Sequence, residues 1–319
     1  MMDPAFPNKN VWSGRPRFAV VVEQVRRHLC RERWNVGVIR QRADEIVRDG
    51  IGKPIEWLVS VPDGMLFADP ACLLHPDGRR SFFVEAASCR GGRGEIWQAE
   101  VAPGEDPASA RFAPVIIAGY HMSYPFPFFG EAGETFLTLE SWQAGRASIG
   151  QLGDNGWNET ITLIDGRPVI DPTLWRGPDR WWLFCTFRDD GPDSRLYLFW
   201  SEHLEGPWHP HRRNPIVTDP GRTRPAGPLF MADGRLIRPA QDCSNTYGGA
   251  VVLNWVRQLD TEAYDEEPVR RLDPQPGPYP AGLHTFCPAG DVTLVDGKTW
   301  TFDMIELAYR VAHKLRHRR

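Results

Sequence analysis

Phe67-Ala68-Asp69-Pro70 leads through the apolar run 71–74 into a turn at Asp77-Gly78 and out again along Ser81-Phe82-Phe83-Val84-Glu85. Two β-rich runs joined by a tight Asp-Gly turn read as a hairpin. The pattern recurs four times. Ser123-Tyr124-Pro125 passes Gly130 and Gly133 into 135–140, and Asp171-Pro172-Thr173-Leu174 passes Pro178-Asp179 into 181–186. Arg224-Pro225-Ala226-Gly227 passes Asp233-Gly234 into 236–238, and Leu283-His284-Thr285-Phe286 passes Asp296-Gly297 into 299–303. The anchors Asp69, Ser123, Asp171, Arg224 and His284 lie about 50 positions apart, the period of propeller blades. A third β-like run follows the first four hairpins, at 95–101, 147–152, 195–201 and 249–256. The last repeat lacks one, and the unassigned strand 35–40 near the start is expected to supply it, closing the ring and removing an open sheet edge.

The expected fold is therefore all-β, a five-bladed β-propeller over 34–303. The competing architecture is a β-sandwich with evenly spaced turns, against which the proline one or two places after four of the anchors weighs. Apolar spacing predicts helices over 18–33, in an N-terminal segment 1–33, and over 305–315, in a basic C-terminal segment 304–319.

In a propeller the innermost strands line one channel, so the anchors are expected to meet at its mouth. The next, antiparallel strand returns to the same face, bringing Glu85, Glu140, Thr186, Gln241, Asp242 and Asp303. Polar groups converging on one opening suit a polar ligand. Taken singly, an Asp before Pro can equally be starting a strand through a turn-forming bond. His121 and His284 are candidates for binding hydroxyls, moving protons or capping strands. Arg224 and Arg238 read either as ion pairs to these acids or as a grip on an anion. Tyr124 and Trp142 read as blade core or as faces for a sugar ring.

Composition narrows the class. The chain has 319 residues, a net charge of −4 and 41% hydrophobic residues, which describes an ordinary globular protein and does not suggest nucleic acid as a partner. No apolar run approaches the ~18–20 residues of a spanning helix, and the first ten residues lack the features of a signal peptide. A cytoplasmic, bacterial-type protein is expected. Its six cysteines show no metal spacing and are expected to be reduced, and no metal or cofactor is required. Residues 306–319 carry five basic residues against one Glu beside an apolar stripe. Such a helix can rest on an anionic inner-membrane surface or simply remain a solvated tail.

Phe67-Ala68-Asp69-Pro70, His121-Met122-Ser123-Tyr124-Pro125, Asp171-Pro172-Thr173, Gly206-Pro207-Trp208 with Asn214-Pro215, Arg224-Pro225-Ala226-Gly227 and the run 238–244 together resemble the N-terminal domain of plant glucosamine inositolphosphorylceramide transferases. The resemblance covers about 34–303. More distantly the chain is similar to the five-bladed arabinanases, xylosidases and fructan enzymes, which place three carboxylates in the channel. In the plant enzymes transferase activity is attributed to a separate C-terminal domain, so the resemblance does not imply ceramide glycosylation here. Leu139-Glu140-Ser141 stands where most relatives have Pro-Glu-Thr, keeping the carboxylate with different neighbours.

The resulting expectation is a carbohydrate-active protein that cleaves or transfers a glycosyl unit of a bacterial surface glycan or glycolipid. Asp69 would serve as base or nucleophile and Glu140 as general acid with Glu85 in reserve, while Asp171 would orient the sugar. His121, Tyr124, Trp142, Arg224, Arg238, Asp242 and His284 would bind substrate. The alternative is a non-catalytic propeller that presents a glycan to a partner enzyme.

Overall fold

The computed structural model describes residues 30–302 apart from positions 90, 131, 154 and 155. Strand runs here are apolar on both sides rather than alternating: Phe82, Phe83, Val84 and Ala86 are all buried. Such strands need cover on both faces. Each sheet finds it between two neighbours, giving five four-stranded antiparallel blades round one axis.

Blade 1 comprises β3 (Met65–Leu74), β4 (Arg80–Ser88), β5 (Glu95–Val101) and β6 (Ala113–Ile116). Blade 2 runs β7 (Ser123–Phe129), β8 (Thr135–Glu140), β9 (Ala147–Gly153) and β10 (Gly156–Ile164). Blade 3 runs β11 (Val169–Arg176), β12 (Trp181–Phe187), β13 (Tyr197–Ser201) and β14 (His209–Pro210). Blade 4 runs β15 (Phe230–Ala232), β16 (Arg235–Asp242), β17 (Ala250–Leu259) and β18 (Tyr264–Leu272).

Blade 5 joins both ends of the chain. Its order is β19 (Phe286–Ala289), β20 (Val292–Phe302), β1 (Cys30–Ile39) and β2 (Ile55–Trp57), so the early strand does complete the last sheet. β1 and β20 pair without interruption from Cys30↔Phe302 to Ile39↔Thr293. The strand is longer than the run 35–40 suggested. Cys30 to Arg33 extend along β20 instead of ending a helix, pairing with Phe302 to Thr299 in the same ladder. The rest of the expected N-terminal helix, the C-terminal helix and Asp303 lie outside the described residues. A single short helix among them, α1 (Ala43–Asp49), plugs Ile46 into the core shared by blades 4 and 5.

Four of the five hairpin turns fall where the sequence placed them. The fifth does not: β19 and β20 turn at Gly290-Asp291, and Asp296-Gly297 lies inside β20 opposite Val36 and Asn35. Gly290 adopts φ +80°, which suits a turn, whereas Asp296 is fully buried and hydrogen-bonded.

The core is a series of slabs between blades. Val38 and Leu294 of blade 5 meet Phe82 and Ala99 of blade 1, and Leu137 of blade 2 meets Phe83 of blade 1. Closure of the ring therefore rests on apolar contact as well as on the β1–β20 ladder. Val38→Asp, placing an unpaired charge in the slab between blades 5 and 1, is expected to lower Tm by 10 °C or more or to leave the protein insoluble. Differential scanning fluorimetry checks this; an unchanged Tm would contradict the closure described here.

Candidate functional site

Three inner strands share a local distortion. The β3–β4, β7–β8 and β11–β12 ladders skip register between Ala68 and Ala71, Ser123 and Phe126, and Ile170 and Thr173. The displaced residues Asp69, Tyr124 and Asp171 have φ of 50°, 47° and 48°, and each precedes a proline. Bulges of this kind re-aim side chains, and proline suits them because it has no N–H to offer the ladder. Positive φ at non-glycine residues is costly and concentrates at functional sites. In blade 2 the matched position is therefore Tyr124, one residue beyond Ser123. Ser123 instead pairs with Glu140, as Ala68 pairs with Glu85.

One network runs round blades 5, 1 and 2. Asp296 accepts hydrogen bonds from the backbone N–H of Asp69 at 3.1 Å and of His284 and Thr285 at 2.9 Å each. His284 Nδ1 lies 2.5 Å from Asp296 Oδ2 and its Nε2 3.6 Å from Asp69 Oδ1. Asp69 also accepts from Thr285 Oγ1 and from the Tyr124 N–H, both at 3.2 Å. Trp34 stacks on the His284 ring at 3.9 Å.

A second network spans blades 2, 3 and 4. Arg224 Nε donates to Asp171 Oδ2 at 2.6 Å and Nη2 to Oδ1 at 3.4 Å; Nη2 also lies 3.6 Å from Glu140 Oε2. Its Nη1 reaches Asp193 at 3.4 Å, and its guanidinium lies 5.0 Å from the Tyr247 ring. The Asp171 N–H donates to Glu140 Oε2 at 3.3 Å. Below both networks, Tyr124 extends its hydroxyl across the axis to Thr173 Oγ1 and the Gly227 N–H, at 2.8 Å each. A cavity of about 30 Å³ is bordered by Asp69, Tyr124, Gly227 and Thr285.

Of the residues singled out in the sequence, Asp69, Glu85, Glu140, Asp171, His121, Arg224 and His284 are brought together. Four others stand differently. Arg238 is buried in blade 4, gripping Glu266 of β18 through Nε at 2.7 Å and Nη2 at 2.6 Å, so it is an intra-blade ion pair. Asp242 is held by Arg271 and by the Ser244 N–H and hydroxyl. Tyr124 is a buried strut, and Trp142 on the rim is capped by the Arg188 guanidinium at 3.9 Å, so that face is not free for a sugar. Asp193, Tyr247 and Asp296 were not singled out as site residues. Asp296 was hidden by its Asp-Gly context, while Asp193 and Tyr247 sit in loops with no repeat position to mark them.

Burial dominates the electrostatics. It pushes Asp69 up to about 7 despite the attraction of His284, and Glu85 up to about 7 likewise. Glu140, only 5% exposed, is driven well above the usual carboxylate range by burial and then by Asp171, with Arg224 opposing. Burial works against charge on His284, but the Asp296 carboxylate overcomes it and raises its pKa. Burial likewise works against the Asp296 charge, yet His284 and the donated N–H groups hold its pKa down. Asp69, His284 and Asp296 offer ligand atoms within 4.8 Å of one another and could surround a cation only after His284 gave up its proton, which this pairing opposes.

These shifts predict how stability varies with pH. The raised pKa values of Asp69, Glu85 and Glu140 mean that the folded state holds protons the unfolded chain releases above about pH 4, so stability is lost as pH rises, through about 7 for Asp69 and Glu85 and in the same direction for Glu140. The raised His284 acts in the same direction, and the lowered Asp296 matters only at more acid pH. Tm is expected to fall between pH 5 and pH 8, and Asp69→Asn to raise it by a few degrees at pH 8 but little at pH 5. Thermal melts across that range check this; a variant less stable at both pH values would contradict it.

Comparison with known proteins adds the family. Residues 64–274 match the family described as glucosamine inositolphosphorylceramide transferase 1, N-terminal. The rice (Oryza sativa subsp. japonica) glucosamine inositolphosphorylceramide transferase 1 is 35% identical over 162 residues, covering 47% of this chain and 21% of the rice protein. The Arabidopsis thaliana protein of that name is 27% identical over 154 residues, covering 46% and 20%. The match thus spans about a fifth of these relatives' length. Among solved structures, an exo-β-1,3-galactanase from Clostridium thermocellum superposes with a TM-score of 0.51 at 10% identity, over 72% of this chain and 59% of its own. A family-43 β-1,3-galactosidase with galactodeoxynojirimycin gives 0.50 at 11% identity, over 68% and 82%. These two share the fold. The family match covers most of the propeller, including the bulged strands that carry Asp69, Tyr124 and Asp171, and the chain belongs to the family of the N-terminal domain of glucosamine inositolphosphorylceramide transferase 1.

Proposed function

We propose that the channel mouth cleaves or transfers a glycosyl unit, acting on a glycolipid or surface glycan, with Glu140 as general acid and Asp69 as general base. The observation that carries this is the environment of Glu140: a buried carboxyl next to Asp171, both of whose oxygens bond to Arg224, with its pKa well above the usual range. The upward shift favours the protonated acid, which gives its proton to the departing glycosidic oxygen. Asp69, titrating near 7 and bonded to Thr285 and the Tyr124 N–H, takes the proton from the incoming hydroxyl. The glycosidic C–O bond breaks, a new C–O bond forms to water or to an alcohol, and the two carboxyls exchange protonation states. Hydrolysis and transfer differ only in the acceptor. The name of the relatives, glucosamine inositolphosphorylceramide transferase, and that of the galactanase sharing the fold agree with a sugar ligand.

A second reading has its own support. Asp171 and Arg224 satisfy each other, which suits a rigid binding module that holds a glycan for a partner enzyme.

Assays on nucleotide-sugars, glycolipids and aryl glycosides separate the two. Glu140→Gln and Asp69→Asn are each expected to lower kcat about 100-fold or more while sugar binding persists. The wild-type rate is expected to rise with pH through about 7 as Asp69 ionises, and to fall only where Glu140 loses its proton. Binding without turnover of any of these substrates would favour the second reading.

A further inference from the structure

Glu85 differs from every other acid of the mouth. Asp69, Glu140, Asp171, Asp193 and Asp296 each contact an arginine, a histidine or a backbone N–H closely, whereas the Glu85 carboxylate accepts no hydrogen bond among the described residues. Its side chain is nonetheless only 14% exposed. The Glu85 oxygens are not among the fully buried polar atoms that lack a partner, so the carboxylate stays open to water and to a ligand hydroxyl that would replace it.

Beside it stands His121, whose Nε2 lies 3.8 Å from Glu85 Oε1, too far for a hydrogen bond. The tautomer of His121 follows from its other nitrogen. Nδ1 lies 2.8 Å from the Gly94 N–H, which can only donate, so Nδ1 accepts and the ring proton sits on Nε2. Burial lowers the His121 pKa and keeps the ring neutral. The Gln143 side chain accepts from the His121 backbone N–H at 2.8 Å, fixing the segment that carries it. A donor and an acceptor thus stand side by side, each partly open to solvent, and neither is satisfied by the other.

Gly94 is what allows this approach. A Cβ there would lie 2.6 Å from Glu85 Oε1, 2.8 Å from His121 Cε1 and 2.3 Å from the Met122 carbonyl oxygen. No side chain larger than hydrogen fits without driving the pair apart.

We infer that Glu85 Oε1 and His121 Nε2, brought together over Gly94, form a hydroxyl-recognition subsite, in which one sugar hydroxyl accepts from the imidazole N–H and donates to the carboxylate. A hydroxyl is the group that can do both at one atom. The inference rests on the glycoside reading of the mouth and specifies how the sugar is oriented beside the Asp69–Glu140 pair.

The test is calorimetric binding of free galactose, glucosamine and myo-inositol, with their single-deoxy forms, to wild type, Glu85→Ala, Glu85→Gln and His121→Ala. Wild type is expected to bind at least one of the three, and Glu85→Ala and His121→Ala to weaken it about 10- to 100-fold. One deoxy form should lose a similar factor on wild type and nothing more on either alanine variant. Glu85→Gln, which keeps an acceptor and the side-chain volume, should lose less than Glu85→Ala. Melting temperatures at or above wild type for the Glu85 variants distinguish a ligand-binding role from a structural one. Variants that bind as wild type does would overturn the subsite and leave the glycoside reading standing; a wild type that binds none of the probes would overturn both.

Discussion

The uninterrupted ladder between β1 and β20 is the constraint on which the rest depends. It makes the first described strand a part of the last blade, so that blade 5 acquires the side chains that bury the faces of blades 4 and 1. Without it the acids would have no common opening. Asp69 belongs to blade 1 and its partners His284, Thr285 and Asp296 to blade 5, over 200 positions away in sequence. That network exists only in the closed ring.

Closure also explains the electrostatics. Each blade contributes a polar group to a low-dielectric mouth, and the protein manages the resulting repulsion in two ways. Some charges are paired, as in His284 with Asp296 and Arg224 with Asp171. Others, Glu140 above all, are pushed toward the neutral acid. In the proposed reaction Glu140 gives a proton and Asp69, titrating near 7, takes one, while Asp171 stays paired with Arg224 beside the acid. The cost is stability at neutral pH, a trade that functional sites commonly make.

Much of the fold was legible because the repeats announce themselves through local chemistry: Asp77-Gly78 and Asp233-Gly234 are turns, and the Asp-Pro pairs at 69–70 and 171–172 mark bulged inner strands. What was not legible depended on partners distant in sequence. Asp296-Gly297 has the same composition as those turns, yet pairing with β1 places it mid-strand and turns its carboxylate onto His284. Arg224-Pro225 and Arg238-Pro239 look alike too. One guanidinium enters the mouth, while the other turns into blade 4 to meet Glu266, a partner no local pattern reveals. For Trp142 the sequence leaves blade core and a sugar-stacking face both open, because nothing near it in sequence shows that Arg188 covers it.

Blade closure, on this reading of the mouth, holds specific carboxyls in unequal protonation states at one opening. Carbon-13 NMR titration of the Asp69 and Glu140 carboxyl carbons in the wild-type protein reads those states directly. Glu140 is expected to stay protonated at a higher pH than Asp69, and Asp69 to change state near 7. Both carboxyls titrating at about 4, as exposed side chains do, would contradict it.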